Sequence, residues 1–341
     1  MNLASYWPTT DWRSAAPAML RMNAEKLSAL DALIRTEYSN ITGMVVVRNG
    51  YIAYERYDHG YRPEDPQHVA SVTKSVMSAL IGIAIDAGYI TSVDQKVLDF
   101  FPEYVLGTAD DLKRDITIRH LLTMTAPYSF ADWHEPLDKM CIQSDWVTYA
   151  LDLLDPKGRI GAYKYSTAGA HLLSCIITRS TGQSARAFAN ERLFKPIGMR
   201  EIPDYGMTSY EFEDLFGSRV RGWVSDPEHH STGGWGLTLT PRDMARFGLL
   251  YLNRGRWDNV QVIQESWIDQ SIALTPDRYG YLWWLSEEEG LGAYCAIGDG
   301  GNIICCVPDK KLVVAIASSF IVNPRDRWTL IKEHILPAMI E

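Results

Sequence analysis

Residues 68–90, HVASVTKSVMSALIGIAIDAGYI, contain the most apolar helix that the sequence predicts. Residues 76–87 are almost entirely apolar, and Gly88 then supplies a residue type that commonly ends helices. Lys74 lies three positions after Ser71 at the head of this run, although burying a charge is costly. Either Lys74 belongs to a solvated first turn, or Ser71 and Lys74 are a reacting pair.

The rest of the sequence predicts strands near both chain ends and helices between them. Residues 42–57, TGMVVVRNGYIAYERY, contain two β-rich runs around Asn49-Gly50, a dipeptide typical of tight hairpin turns. Three further strands are predicted near the C-terminus, over residues 292–301, 302–308 and 311–320. Apolar spacing and helix end signals predict further helices over residues 24–35, 117–124, 145–154, 168–182, 240–255 and 325–340.

This order of elements predicts an α/β (α+β) fold with an antiparallel sheet flanked by terminal helices. Residues 1–68 and 240–341 would form the sheet domain from both chain ends. Residues 69–239 would form a mainly helical domain inserted between them. We expect the two parts to make a single compact catalytic unit, because no low-complexity linker separates them.

Composition excludes several classes of function. The 341 residues carry a net charge of −9 with no basic block, which argues against a nucleic-acid partner. No long uncharged apolar stretch and no signal-peptide pattern is present, so we expect a cytoplasmic protein that does not bind membranes. Neither G-x-G-x-x-G nor a Walker sequence occurs, and no cofactor is expected.

The cysteines and histidines give no metal signal. The five cysteines are an odd number, and Cys305 and Cys306 are adjacent in a predicted strand, where they would point to opposite faces. We therefore expect them to pack in the core. His229 and His230 lie in the polar stretch SDPEHHSTGGWG, which we interpret as a solvated loop.

Ser71 and Lys74 have the spacing that a nucleophile and its base require on a helix. Residues i and i+3 share one face, and a lysine can accept a serine proton if burial lowers its pKa. A helix N-terminus would also offer free N–H groups to an oxyanion. Short S-x-x-K sequences occur by chance, so this pair alone leaves the capped surface turn open.

A tyrosine is the obvious partner for such a lysine. Tyr38 and Tyr251 both begin Tyr-x-Asn triplets, but Tyr38 ends a predicted helix, with Asn40 as its C-cap, and Tyr251 lies within another. Tyr165, in Tyr165-Ser166-Thr167, precedes a helix in a loop from which a phenol could enter a cleft. We select Tyr165, with Tyr163 as the alternative.

Several blocks in this order resemble the serine β-lactamase-related superfamily, which includes class C β-lactamases, family VIII carboxylesterases and 6-aminohexanoate-dimer hydrolases. They are HVASVTKSVMSALIGIAIDAGYI, ITIRHLLTMTAPYSF, YKYSTAGAHLLSCIITRSTG, LTPRDMARFGLLYLNRGRW and VPDKKLVVAIASS. The resemblance implies the β-lactamase/transpeptidase-like fold with a cleft between sheet and helices. It also implies that Ser71 is acylated, that Lys74 holds its proton, and that Tyr165 acts as general base and then acid.

Two departures from the family pattern bear on the substrate. Thr167 replaces the usual asparagine of Tyr-x-Asn, and Ala296-Ile297-Gly298 replaces a Lys-Thr-Gly or His-x-Gly triplet. Without that cation, substrates bearing a free carboxylate are disfavoured and a carboxylic ester or small neutral amide is favoured. The backbone N–H of Ser71 and one near Gly298 or Asp299 would bind the oxyanion.

The predicted function is therefore a serine hydrolase acting on a small-molecule ester or amide. Two alternatives remain: a β-lactamase or D-Ala-D-Ala carboxypeptidase, and a binding or sensor protein that does not turn over. The sequence leaves the oligomeric state open. We also place around the substrate six residues of the suspected cleft loops: Tyr128, Trp133, Thr167, Trp235, Ile297 and Gly300.

Overall fold

The computed structural model describes residues 6–108, 110–209, 211–288 and 290–340, and a six-stranded antiparallel sheet lies at its centre. The strands of this sheet run in the order β2-β1-β12-β11-β10-β9. Within the described residues the strands are β1 (Ile41–Arg48), β2 (Tyr51–Tyr57), β3 (Gln67–His68), β4 (Asp204–Gly206), β5 (Trp223–Ser225), β6 (Thr238–Leu239), β7 (Arg256–Trp257), β8 (Val260–Gln261), β9 (Trp284–Glu288), β10 (Leu291–Gly298), β11 (Asn302–Val307) and β12 (Leu312–Ser318).

Helices cover both faces of this sheet and fill the segment between its two groups of strands. They are α1 (Ala24–Glu37), α2 (Val72–Asp86), α3 (Ile118–Leu122), α4 (Leu137–Cys141), α5 (Trp146–Asp152), α6 (Thr167–Thr181), α7 (Ala185–Ala189), α8 (Phe212–Leu215), α9 (Pro241–Leu252), α10 (Glu265–Ser271) and α11 (Arg327–Leu330). None of the helices in the described ranges is long and apolar enough to cross a bilayer.

The first hairpin forms as its sequence predicts. Asn49 and Gly50 both have positive φ, at 53° and 82°, which is the conformation that a type I′ turn requires. β1 then pairs with β2 on one side and with β12 on the other, so the two chain ends meet in the middle of the sheet.

Burial on both faces of the sheet explains why its central strands β1, β11 and β12 are largely apolar. One face packs against α1 and the C-terminal helical segment, and the other against α2 and α9. Cys305 belongs to the first core and Cys306 to the second, which confirms that the adjacent cysteines point to opposite faces. All five cysteines are buried and none forms a disulfide.

The helix predicted within residues 68–90 begins earlier than the apolar run over residues 76–87. α2 starts at Val72, and every residue from Val72 to Ala84 is buried. Gly82 lets this helix approach α10, because a Cβ at that position would lie 2.5 Å from the Trp267 ring. A helix buried on all sides places Lys74 inside the molecule and leaves Ser71 half-buried at its start.

Two predicted elements differ in detail. The C-terminal helix changes after α11 to wider turns over Ile331–Ile335 and then to a tight turn over Leu336–Ala338, where Pro337 lacks an N–H. Asn40 is not the C-cap of α1, a position that Tyr38 occupies. The Asn40 amide instead donates hydrogen bonds to the carbonyls of Gly300 and Ser319.

Candidate active site

Ser71 lies at the N-cap of α2, held there by an unusual backbone turn. Ala70 has φ of 49°, a left-handed conformation that is uncommon for a residue with a side chain. Gly298 packs directly against this turn, since a Cβ there would lie 2.3 Å from the Val69 carbonyl and 3.1 Å from the Ser71 nitrogen. Glycine is thus required at the end of β10 for the strand to reach the candidate nucleophile.

Lys74 is enclosed, which rules out the solvated first turn. Only 1% of the residue is exposed, and its Nζ donates hydrogen bonds to Ser71 Oγ at 3.0 Å, Thr167 Oγ1 at 3.1 Å and the Gly234 carbonyl at 2.9 Å. Burial lowers the pKa of Lys74 to about 8, although the nearby carboxylates of Glu135 and Asp299 oppose the shift. At neutral pH a usable fraction of this amine is therefore uncharged.

Tyr165 lies beside the same lysine. Lys74 Nζ is 4.8 Å from the centre of the phenol ring, and Tyr165 also stacks between Trp133 and Trp284. Burial raises the pKa of Tyr165, and hydrogen bonding with the Ser71 side chain opposes the increase. The phenol therefore stays protonated at neutral pH.

The other tyrosines lie in different environments. Tyr163 packs edge-on against Tyr279, and its hydroxyl has no partner in the described part of the chain. Tyr251 is buried within α9, as the sequence predicts, and Tyr38 ends α1. Of the four, Tyr165 is the one that lies against Lys74.

Glu135 is a site residue that the sequence analysis missed. Its carboxylate accepts hydrogen bonds from the backbone N–H of Thr167 and of Ala168, each at 2.7 Å, and from Ser166 Oγ at 2.9 Å. The anion therefore caps the positive end of α6 and holds Thr167 against Lys74. A lone glutamate in a loop gives no sequence signal for this role.

The segment GGWG, residues 233–236, is the second part of the site that the sequence analysis missed. A Cβ on Gly233 would lie 2.0 Å from the Ala170 carbonyl, and one on Gly234 would lie 2.4 Å from Thr167 Cγ2. This close approach brings the Gly234 carbonyl to Lys74. Paired glycines in a buried segment are the signal that could have indicated it.

A cavity of about 520 Å³ opens beside Ser71. Of the predicted site residues, it is lined by Ser71, Thr167, Trp235 and Asp299. The lining residues also include several from the chain around α8 and from β12 onward, among them Phe212, Phe216 and Phe320.

Four predicted site residues lie elsewhere. Tyr128 is 6% exposed and stacks on Phe130 beneath the N-terminus of α6, outside the cavity lining. Trp133 is 72% exposed and covers Tyr165. Ile297 and Gly300 line a neighbouring depression of about 440 Å³ at the β10–β11 turn, which shares some of its lining, including Asp299, with the cavity beside Ser71.

His229 is exposed, as expected of a loop, but His230 is buried, and its solvated interpretation is wrong. His230 Nδ1 lies 3.0 Å and His171 Nε2 lies 3.1 Å from the same oxygen of Asp226, whose pKa these neighbours hold well below its usual range. Cys175 Sγ lies 3.6 Å from His171 Nε2, so His171, Cys175 and Asp226 have the spacing of a metal-ligand group. The hydrogen bonds to Asp226 by themselves explain why the loop lies against α6.

The fold and the site together define the β-lactamase/transpeptidase-like class of serine hydrolases. The defining features are a sheet built from both chain ends, helices between the two groups of strands, and a Ser-x-x-Lys pair at the start of a helix. Residues 30–333 match the family described as Beta-lactamase, and the chain belongs to this family. The resemblance seen in the sequence is thereby confirmed.

Three related proteins illustrate the range of this family. The 6-aminohexanoate-dimer hydrolase of Paenarthrobacter ureafaciens is 23% identical over 96% of this chain and 84% of that protein. Esterase EstB of Burkholderia gladioli is 26% identical over 62% of this chain and 57% of its own length. A class C beta lactamase from Rhodobacter sphaeroides has the same fold, with a TM-score of 0.65 at 16% identity over 92% of this chain and 99% of that one.

Proposed function

We propose that the protein is a serine hydrolase that cleaves a carboxylic ester or a small amide through an acyl-enzyme on Ser71. The observation that supports this most is the 3.0 Å contact between Ser71 Oγ and the buried Lys74 amine. A nucleophile and a base with a lowered pKa are thus in hydrogen-bond contact at the floor of a cavity.

In the proposed acylation, Ser71 Oγ attacks the substrate carbonyl carbon and its proton passes to the uncharged Lys74 amine. Both Lys74 and Tyr165 are within hydrogen-bond reach of the Ser71 side chain, and the pKa of about 8 favours Lys74 over Tyr165 as the acceptor. Tyr165, whose pKa is raised by burial, is the better donor to the leaving group. The resulting phenolate recovers a proton from the Lys74 ammonium.

Backbone donors would stabilise the oxyanion. The Ser71 N–H lies at the free start of α2, Gly298 packs against the backbone at Ser71, and Asp299 borders the cavity. Water then attacks the acyl-enzyme, transfers a proton back through Lys74 and Tyr165, and releases the acid and free Ser71.

Labelling with an activated phosphonate tests the nucleophile. Wild-type protein should gain one phosphonyl group on Ser71 by mass spectrometry, and Ser71→Ala should gain none and lose turnover. Ser28→Ala, which removes an exposed serine on α1, is the matched control and should label normally. Equal labelling of the Ser71→Ala variant would refute the assignment.

Parallel assays separate the alternative functions. We expect sustained release from a short p-nitrophenyl ester or a linear amide, and much slower turnover of a chromogenic cephalosporin. Asp299, in the turn directly after β10, borders the cavity near the place where the family commonly has a cation, so a substrate carboxylate would be repelled. A single equivalent of product followed by no further release would instead indicate a binding protein.

A further inference from the structure

A row of aromatic rings leads from the candidate nucleophile to solvent. Trp235, which lines the cavity beside Ser71, stacks on Phe216 with ring centres 5.5 Å apart. Phe216 stacks on Phe212 at 5.7 Å, and Phe212 contacts Phe320 at 5.1 Å. These four rings, which we call the aromatic row, form one wall of the cavity.

Exposure changes steadily along the aromatic row. Trp235 is 2% exposed, whereas Phe212 is 47% and Phe320 is 49% exposed. Large apolar rings that stay in water next to a reactive group indicate a binding surface. The charged lining residues Glu213, Arg221 and Asp299 are all exposed. They therefore lie at the solvent side of the cavity, whose inner lining contains the apolar aromatic row together with buried polar side chains.

The position of Tyr165 distinguishes the two halves of a substrate. Tyr165 and its stacking partners Trp133 and Trp284 do not line this cavity, whereas Ser71 does. If Tyr165 protonates the leaving group, that group departs on the side of the Tyr165 stack. The acyl group, which stays bonded to Ser71, must then occupy the cavity with the aromatic row.

We propose that this cavity is an acyl-binding subsite and that the substrate carries an extended apolar acyl group, either a linear alkyl chain or an aryl ring. This rests on the proposed function, because it assumes acyl transfer to Ser71. The volume of about 520 Å³ falls in the range of about 300–1,000 Å³ that ligand pockets occupy. The subsite accepts the apolar chain along the aromatic row, with its far end near Phe320.

Chain-length profiles test the acyl subsite in the intact protein. With p-nitrophenyl esters from acetate to octanoate, kcat/KM should rise about two- to fourfold for each added methylene group, since each buries apolar surface. Lengthening the alcohol in a series of alkyl acetates should have a much smaller effect, because that part lies on the side of Tyr165.

Substitutions in the aromatic row localise the effect. Phe212→Ala and Phe320→Ala should each lower kcat/KM for the octanoate ester about fivefold to tenfold, and lower it for the acetate ester by a much smaller factor. Both side chains are half exposed, so the variants are expected to fold. Leu274→Ala removes a somewhat more exposed apolar side chain (57%) that does not line the cavity, and it should leave the octanoate-to-acetate ratio unchanged.

The outcomes separate this inference from the proposed function. A flat acyl-chain profile, or equal losses on both esters in the variants, overturns the acyl subsite but leaves the Ser71 hydrolase intact. A stronger dependence on alcohol length than on acyl length assigns the cavity to the leaving group and also overturns it. If no ester, amide or phosphonate reacts at Ser71, that result contradicts both proposals.

Discussion

At the scale of single residues, the burial that makes the charged Lys74 amine energetically costly also supports its proposed role as a base. The side chain is removed from water and its positive charge is only partly offset by the nearby carboxylates. The same desolvation that destabilises the charged form makes the uncharged amine available near neutral pH. Stability is therefore lower than it would be with an apolar residue, as is common at reactive sites.

The pH dependence of stability should reveal this cost. Below pH 8 the folded and unfolded chains both hold the Lys74 proton, and the folded state carries the full penalty. As the pH rises from about 8 towards the unfolded value of 10.5, the folded protein loses that proton first and the penalty disappears. The free energy of unfolding of wild type should thus rise relative to that of Lys74→Met, by about 3 kcal/mol in total.

Urea unfolding of both proteins between pH 7 and 10 measures this difference. The Lys74→Met variant also loses hydrogen bonds to Ser71 Oγ, Thr167 Oγ1 and the Gly234 carbonyl, but that loss is a constant offset. The change with pH in the difference between the two free energies of unfolding therefore reports the ionisation of Lys74 alone. A constant difference across the range would mean that the pKa of Lys74 is not lowered by burial.

At the scale of elements, the start of α6 and the GGWG segment position Lys74 together. Glu135 caps α6 and fixes Thr167, while Gly234 supplies a carbonyl from the opposite side. The aligned N–H groups of α6 stabilise the Glu135 anion, and the anion in turn limits the shift in the pKa of Lys74. The site is thus assembled from helix ends and backbone groups more than from reactive side chains.

Gly234→Ala should disturb this arrangement. The added Cβ would lie 2.4 Å from Thr167 Cγ2 and 3.3 Å from Lys74 Nζ, so one of them must move. We expect a loss of about 1–3 kcal/mol in the free energy of unfolding from overpacking. We also expect a fall of tenfold or more in kcat/KM, because small displacements of a base are costly to catalysis.

A second glycine provides the control for this prediction. Gly206 has open space where its Cβ would be, and Gly206→Ala should change the free energy of unfolding by no more than about 0.5 kcal/mol. Thermal denaturation measures the stability of the two variants, and ester hydrolysis measures their kcat/KM. Equal activity in the two variants would show that the Gly234 carbonyl does not position Lys74.

At the scale of the whole molecule, Arg327 joins both chain ends to the turn after β10. Its buried guanidinium donates hydrogen bonds to the Gly301 carbonyl at 3.2 Å, the Arg325 carbonyl at 2.8 Å and Asn40 Oδ1 at 2.8 Å. Burial lowers the pKa of Arg327 to about 10. This network fixes the turn that carries Asp299 towards the cavity.

Removing that guanidinium should weaken the whole fold. Arg327→Leu removes the three hydrogen bonds that one charged guanidinium makes to Gly301, Arg325 and Asn40, and we expect a loss of about 2–4 kcal/mol in the free energy of unfolding. Arg325→Leu removes an exposed ion pair with Glu37 and should cost no more than about 1 kcal/mol. Chemical denaturation of both variants tests this, and equal losses would show that the Arg327 network does not stabilise the fold.

Local patterns in the sequence predicted the elements well, because hydrophobic period and turn residues act over a few positions. The Asn49-Gly50 hairpin, the buried helix after Ser71 and the opposite faces of Cys305 and Cys306 all follow from such patterns. The bounds of α2 were less accurate, since its first turn contains polar residues that only tertiary contacts bury.

The sequence by itself determined the type and order of the elements and the spacing of Ser71 and Lys74, since these depend on neighbours along the chain. Only the tertiary structure decided what surrounds Lys74. Thr167 lies 93 positions and Gly234 lies 160 positions away from it, and both reach the amine because helices and glycine segments pack closely in space. Desolvation of the lysine, and hence its proposed reactivity, is a property of that packing and not of the S-x-x-K sequence.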